Sequence, residues 1–139
     1  MKISRELLDE LVAHALEDPG NEVCGLVSVA ENGERAATGV LRARNIHRSP
    51  MKFEIDPKEL LTLYNEIEDR GEELGAIYHS HVRSAPYPSQ TDVNFARSWP
   101  GIEWVIVGLA AGAEPEVRSY LIDAGSGVIE EVPIAEAGR

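Results

Sequence analysis

A mixed α/β fold is predicted by three features of this sequence. Apolar residues recur at helical spacing in several stretches, β-branched apolar runs fill the intervals, and the runs are joined both by hairpin signals and by helix-length segments. Hairpins join antiparallel neighbours and helical crossovers join parallel ones, so roughly three helices should flank a mixed sheet of about six or more strands. With 139 residues the chain can bury one real core and is too short for two ordinary domains. Residues 1–134 are expected to form that domain and 135–139 a short tail.

Ile3, Leu7, Leu8, Leu11, Val12 and Ala15 share one face of a first helix, with Ser4 at its start and Asp18-Pro19-Gly20 as its stop. Residues 23–29 follow as a buried strand, Asn32-Gly33 as a hairpin turn and 35–44 as the returning strand. Residues 45–50 read as a loop and 51–55 as a short strand. Asp56, Pro57 and Glu59 stand in the order N-cap, N1 and N3 of a second helix. Its apolar stripe is Leu60, Leu61, Tyr64 and Ile67, and Gly71 ends it. Residues 74–78 form a central apolar strand, and 82–87 a Pro-broken loop that can edge a substrate groove. A short helix at 89–98 is halted by Trp99-Pro100-Gly101. Strands at 103–109, 116–123 and 128–133 complete the sheet, the last two joined by Ala124-Gly125-Ser126-Gly127.

Composition narrows the function classes. A formal net charge of −11 argues against nucleic acid or an anionic membrane as partner. No apolar run is long enough to span a bilayer, and residues 1–6 lack the apolar core of a signal peptide. A single Cys cannot close an internal disulfide, in keeping with a reducing cytoplasm.

The chemistry concentrates between residues 74 and 92. His79 and His81 stand two apart directly after an apolar run, and in a strand such residues point to the same face. Pro88-Ser89-Gln90-Thr91-Asp92 reads as a helix start, Ser89 at the N-cap and Asp92 in the first turn. A strand end and a helix start joined by a short loop can bring two imidazoles and one carboxylate together, the protein ligand set of a catalytic zinc with a position left open. Each half also has a plainer reading. A His-x-His pair occurs on many exposed strands, and Ser89-x-x-Asp92 alone is a capping box in which the carboxylate reaches back to the N-cap amide. Cys24, two residues after Glu22, reads as a small buried hydrophobe without the basic neighbours of a nucleophile. His14 reads as a surface or boundary helix residue and His47 as an exposed loop residue.

Taken together, His79-Ser80-His81, then Ser89 after an interval of seven residues, then Asp92, reproduce without a gap the motif of the JAMM (MPN-plus) metallopeptidases. The chain resembles that family over nearly its whole length. Asn45-x-x-Arg48-Ser49-Pro50, Phe53-x-Ile55-Asp56 and Arg118-Ser119-Tyr120 look like its short, single-domain bacterial branch. The resemblance implies a highly curved mixed sheet flanked by helices, as in cytidine-deaminase-like folds. It implies one Zn2+ per chain on His79, His81 and Asp92, Glu22 as catalytic acid/base, and Ser89 as a donor to the oxyanion. For Ser89, plain helix capping fits the spacing equally well. The implied substrate is an amide, peptide or isopeptide, at the C-terminus of a ubiquitin-like or sulfur-carrier protein with a Gly-Gly-type tail. For the actinobacterial members of the short branch that means release of cysteine, a step of cysteine biosynthesis. A homodimer rests only on the family's habit of pairing. The alternative is a non-catalytic MPN-type scaffold or binding module, against which the complete set Glu22, His79, His81, Ser89 and Asp92 counts. A zinc deaminase needs His-x-Glu with Pro-Cys-x-x-Cys, and one Cys cannot supply it. A DNA-repair-associated relative is disfavoured by Val82-Arg83-Ser84-Ala85 after the histidines and by the acidic charge.

Overall fold

The computed structural model describes residues 1–110 and 114–137. In chain order the elements are β1 (Lys2–Ser4), α1 (Arg5–Glu17), β2 (Cys24–Ala30), β3 (Ala37–Ala43), α2 (Pro57–Asp69), β4 (Glu72–His81), α3 (Gln90–Ala96), β5 (Glu103–Gly108), β6 (Glu116–Ile122), β7 (Ile129–Val132) and β8 (Ala135–Ala137). The main sheet is mixed, in the order β3-β2-β4-β5-β6-β7; β4 and β5 run parallel and every other pair is antiparallel. The parallel pair needs a crossover, and α3 supplies it, so α3 starts just beyond the carboxyl end of β4.

Period-two alternation sorts the central strands between two cores. Leu26, Ile77 and Trp104 face α2 and α3 with Phe53 and Ile67, while Val27, Tyr78 and Val105 face α1 with Leu8, Leu11 and Ala15. A register shift at Val27–Val29 marks a bulge in β2, which bends a strand and increases its twist. Gly25 is required by close approach: a Cβ there would lie 2.5 Å from the Leu41 carbonyl and from the Tyr78 ring.

Several local expectations need correction. Ile3 does not belong to the first helix; it lies in β1, parallel to β8, and Ser4 caps α1 by accepting from the Leu7 amide at 3.2 Å. Residues 135–137, expected as tail, are thereby held as a strand, and the Ala135 amide donates to the Met1 carbonyl at 2.9 Å. Residues 138 and 139 lie outside the described residues. Residues 51–55 alternate as a strand would, burying Phe53 and Ile55, yet form only an isolated bridge at Asn45–Ile55. The Asn45 side chain takes the place of a ladder: its Nδ2 donates to the Lys52 carbonyl at 2.9 Å and its Oδ1 accepts from the Glu54 amide at 3.2 Å. Asp56 is the N-cap of α2 without a side-chain cap bond, and the Glu59 carboxylate, instead of reaching back to it, accepts from the Arg44 amide at 2.9 Å.

Candidate metal centre

The last residues of β4 are buried, and alternation sends His79 and His81 to the face that α3 covers while Tyr78 and Ser80 point towards α1. His79 is 0% exposed, His81 4% and Asp92 4%. His79 Nε2 lies 3.1 Å from His81 Nε2 and 3.2 Å from Asp92 Oδ2, and His81 Nε2 lies 3.4 Å from the same oxygen. With three donor atoms, one per residue, all within 4.8 Å of one another, this cluster can hold a metal ion. Two imidazoles and one carboxylate form a set that leaves a coordination position for water or substrate.

The surrounding bonds aim these donors. His81 Nδ1 lies 2.8 Å from the Ala85 carbonyl, so it carries the ring proton and leaves the Nε2 lone pair facing the cluster. The loop supplying that carbonyl is pinned in turn, because the Tyr120 hydroxyl donates to the Pro86 carbonyl. His79 is oriented differently. Its ring stacks on Phe53 with centroids 4.5 Å apart, and its Nδ1 is buried without a hydrogen-bond partner among the described residues.

The Ser89–Asp92 capping box forms, and its carboxylate also faces the histidines. Ser89 Oγ accepts from the Asp92 amide at 3.2 Å, and Asp92 Oδ2 accepts from the Ser89 amide at 2.9 Å, which is the capping box. The oxygen that closes the cap is also the one facing both histidines. Burial raises the Asp92 carboxyl, but the His79 charge and the bonds from His79, His81 and the Ser89 amide hold it well below the usual carboxylate range. Burial lowers His81, and its bonds to Asp92 and to the Ala85 carbonyl outweigh that and raise it. Ser89 is exposed, and since its oxygen accepts in the cap, its own hydroxyl proton is free to donate.

Glu22 reaches the cluster from the next strand. Cys24 pairs with His79, so two antiparallel steps back set Glu22 opposite His81. Ser80, between the two histidines, clamps this register: its Oγ accepts from the Val23 amide at 2.9 Å and its amide donates to the Val23 carbonyl at 3.0 Å. On the other side, the Glu22 amide donates to the Ser49 carbonyl at 2.8 Å and Asn45 Nδ2 donates to the Glu22 carbonyl at 3.0 Å. Glu22 is 7% exposed, and burial pushes its carboxyl up to about 7; the His81 charge opposes that rise and the Asp92 charge adds to it. A carboxyl near neutrality can both take and return a proton.

The remaining candidates settle simply. Cys24 is fully buried and its thiol is pushed up to about 12 by burial first and the Glu59 and Glu22 charges second, so it is inert. His47 sits exposed in its loop with Nε2 2.9 Å from Glu54. His14 is half-buried, with Nδ1 2.6 Å from the Tyr78 hydroxyl. Burial lowers His14 and raises Tyr78, so a protonated phenol donates to a neutral imidazole. Sequence reasoning missed the roles of Ser80, Asn45 and Phe53. Only Ser80 carries a local signal, a small polar residue between two ligand candidates and pointing to the opposite face.

Comparison with known proteins places this arrangement in a family. The family model described as prokaryotic homologs of the JAB domain, Prok-JAB, matches residues 4–123. The chain belongs to the Prok-JAB family. Among its relatives, the CysO-cysteine peptidase of Mycobacterium tuberculosis is 34% identical over 134 residues, covering 96% of this chain and 90% of the relative. The desampylase of Haloferax volcanii is 33% identical over 111 residues, covering 76% and 78%. The solution structure of a protein from Desulfitobacterium hafniense superposes with a TM-score of 0.87 at 29% identity, over 99% of this chain and 93% of that one.

Proposed function

We propose that this chain is a zinc-dependent hydrolase that cleaves an amide at the C-terminus of a ubiquitin-like or sulfur-carrier protein. One observation carries the reading: the His79, His81 and Asp92 donors converge in a buried cluster while Glu22, held opposite His81, is raised to about neutrality. The relatives named as a CysO-cysteine peptidase and a desampylase support the substrate class.

The donor set fits zinc, since two neutral imidazoles and one carboxylate would leave a bound Zn2+ with net positive charge. When bound there, zinc supplies the Lewis acidity that polarises the scissile carbonyl and makes water a usable nucleophile at neutral pH. Glu22 accepts a proton from the attacking water and returns it to the leaving amine as the C–N bond breaks. Water is thus divided between a new carboxylate on the carrier and a protonated amine on the released group. Ser89 donates its free hydroxyl proton towards the oxyanion, while the cap fixes its oxygen. Ser80 and Asn45 act through Glu22 by holding the backbone on either side of it. The acidic chain is read as cytoplasmic, with the carrier as its partner.

The test is elemental analysis of chain purified without chelator, beside Asp92→Ala, with cleavage of a C-terminally extended carrier followed by intact mass. About one zinc per chain in the parent, little in Asp92→Ala, and cleavage only by the parent are expected. A parent that takes up no metal when zinc is offered and leaves the carrier intact would refute the reading in favour of a binding module.

A further inference from the structure

We infer that Arg48, together with Arg44, binds the free α-carboxylate of the residue that leaves, so that the preferred substrate is a carrier extended by a single amino acid rather than one joined to a lysine side chain. The inference rests on the hydrolase reading above and adds the leaving-group side of the site. Glu22 forms part of the wall of a cavity of about 490 Å³, whose other lining residues include His14, Asn21, Arg44 and Arg48. A second cavity of about 350 Å³ shares Arg44, Asn45 and Arg48, so the two form one groove along the 44–48 loop.

The position of these cations follows from bonds already described. Ser49, whose carbonyl accepts from the Glu22 amide, is the residue after Arg48, and Asn45, whose side chain holds the Glu22 carbonyl, follows Arg44. Both arginines are therefore attached to the backbone of Glu22 through single intervening contacts. Arg48 also has φ +46, the left-handed region that a branchless long side chain rarely adopts, and its amide donates to the Asn45 carbonyl at 3.3 Å.

The chain carries 24 acidic residues against 13 Lys and Arg, and Arg5, Arg35, Arg42, Arg70 and Arg118 all have carboxylate partners. Among the described residues charge pairing leaves Arg44, Arg48, Arg83 and Arg97 without a carboxylate partner, and of these Arg44 and Arg48 line the groove. The acids that line the groove are spoken for at least in part: Glu17 binds Arg42 at 2.6 Å, Asp18 binds Asn21 at 3.3 Å and Glu59 accepts from the Arg44 amide. Asp56 lines the second cavity.

Chemistry then connects the groove to the reaction. Glu22 must reach the leaving amine to return its proton. In a free terminal amino acid the carboxylate carbon is two bonds from that nitrogen, through N–Cα and Cα–C bonds of about 1.5 Å each, so it sits beside Glu22 as well. A lysine side-chain amine has no such group. Guanidinium forks are suited to a carboxylate because they bind it through two parallel hydrogen bonds.

The probe is a labelled peptide ending Gly-Gly-Ala with a free carboxylate, set against its C-terminal amide. Binding is measured by fluorescence anisotropy to the zinc-loaded Glu22→Gln protein, which holds the peptide uncut, and cleavage by the unsubstituted protein is followed by mass. The carboxylate peptide should bind on the order of 10- to 100-fold more tightly. Arg44→Gln with Arg48→Gln should abolish that preference, and Arg48→Glu should reverse it. Equal binding of the two peptides, binding of neither, or a preference that survives both substitutions overturns the inference. Equal cleavage of the two peptides overturns it as well while the hydrolase reading stands. A preference lost with the arginines but no cleavage of either peptide supports the subsite and counts against the hydrolase reading.

Discussion

Replacing Glu22 by Gln should do opposite things to activity and to stability. The carboxyl is pushed from its ordinary value of 4.5 up to about 7 by burial, so the folded chain holds a proton there that the unfolded chain has released. Between those two values the native state binds more protons, and stability falls as pH rises. The burden is absent below the unfolded value, grows through the window and is complete above about 7, where it amounts to about 3 kcal/mol at 1.36 kcal/mol per unit. Gln is isosteric and uncharged, and the Glu22 carboxylate takes no hydrogen bond among the described residues that an amide would break. Metal-free Glu22→Gln protein should therefore melt roughly 10 °C above the parent at pH 8 and together with it at pH 4. The assay is thermal denaturation of both chelator-treated proteins across that range. A difference that does not change with pH would refute the argument, because it would mean that Glu22 is not ionised at a cost in the native fold. The zinc-loaded variant should keep its metal and lose turnover, and the parent's rate should rise with pH as Glu22 becomes able to accept a proton, at a pH below the metal-free value because a nearby cation favours the carboxylate.

Ser89→Ala should retain zinc and lose rate on the order of 10²-fold, with about 1 kcal/mol of stability lost with the cap; metal analysis, steady-state kinetics and urea denaturation read these separately. Ser80→Ala leaves the Val23 amide without its buried side-chain acceptor, and about 1–3 kcal/mol of stability should go with it. Because Ser80 positions Glu22 without touching substrate, that variant should lower kcat while zinc content stays near that of the parent.

What was legible in the sequence was what is local. His79-x-His81 needs only a strand to aim both rings one way, and Ser89-x-x-Asp92 needs only a helix start, so their geometry could be anticipated from spacing. The order of strands in space had no such signal, yet the mixture of hairpin and helical connections already implied a mixed sheet. The misreadings share a cause. Residues 51–55 have the alternation of a strand, but their partners are the side-chain atoms of Asn45, whose reach to Lys52 and Glu54 no periodicity records. Ile3 fits the helical stripe by position and is drawn into β1 by Ala135–Ala137 at the other end of the chain. His14 seemed isolated because its partner, Tyr78, lies 64 residues away.

The double duty of the Asp92 carboxylate couples two timescales. A seven-residue helix is far too short to persist alone, and its first turn depends on an oxygen that the metal would share. Each fraying of α3 would withdraw one of the three candidate ligands, so release of a metal held there would be coupled to the opening of that end. Conversely, a bound ion slows the opening, and its residence time becomes a property of the helix as much as of the ligands. The centre would thus exchange metal by local unwinding, with the amide protection of α3 acting as a clock for occupancy.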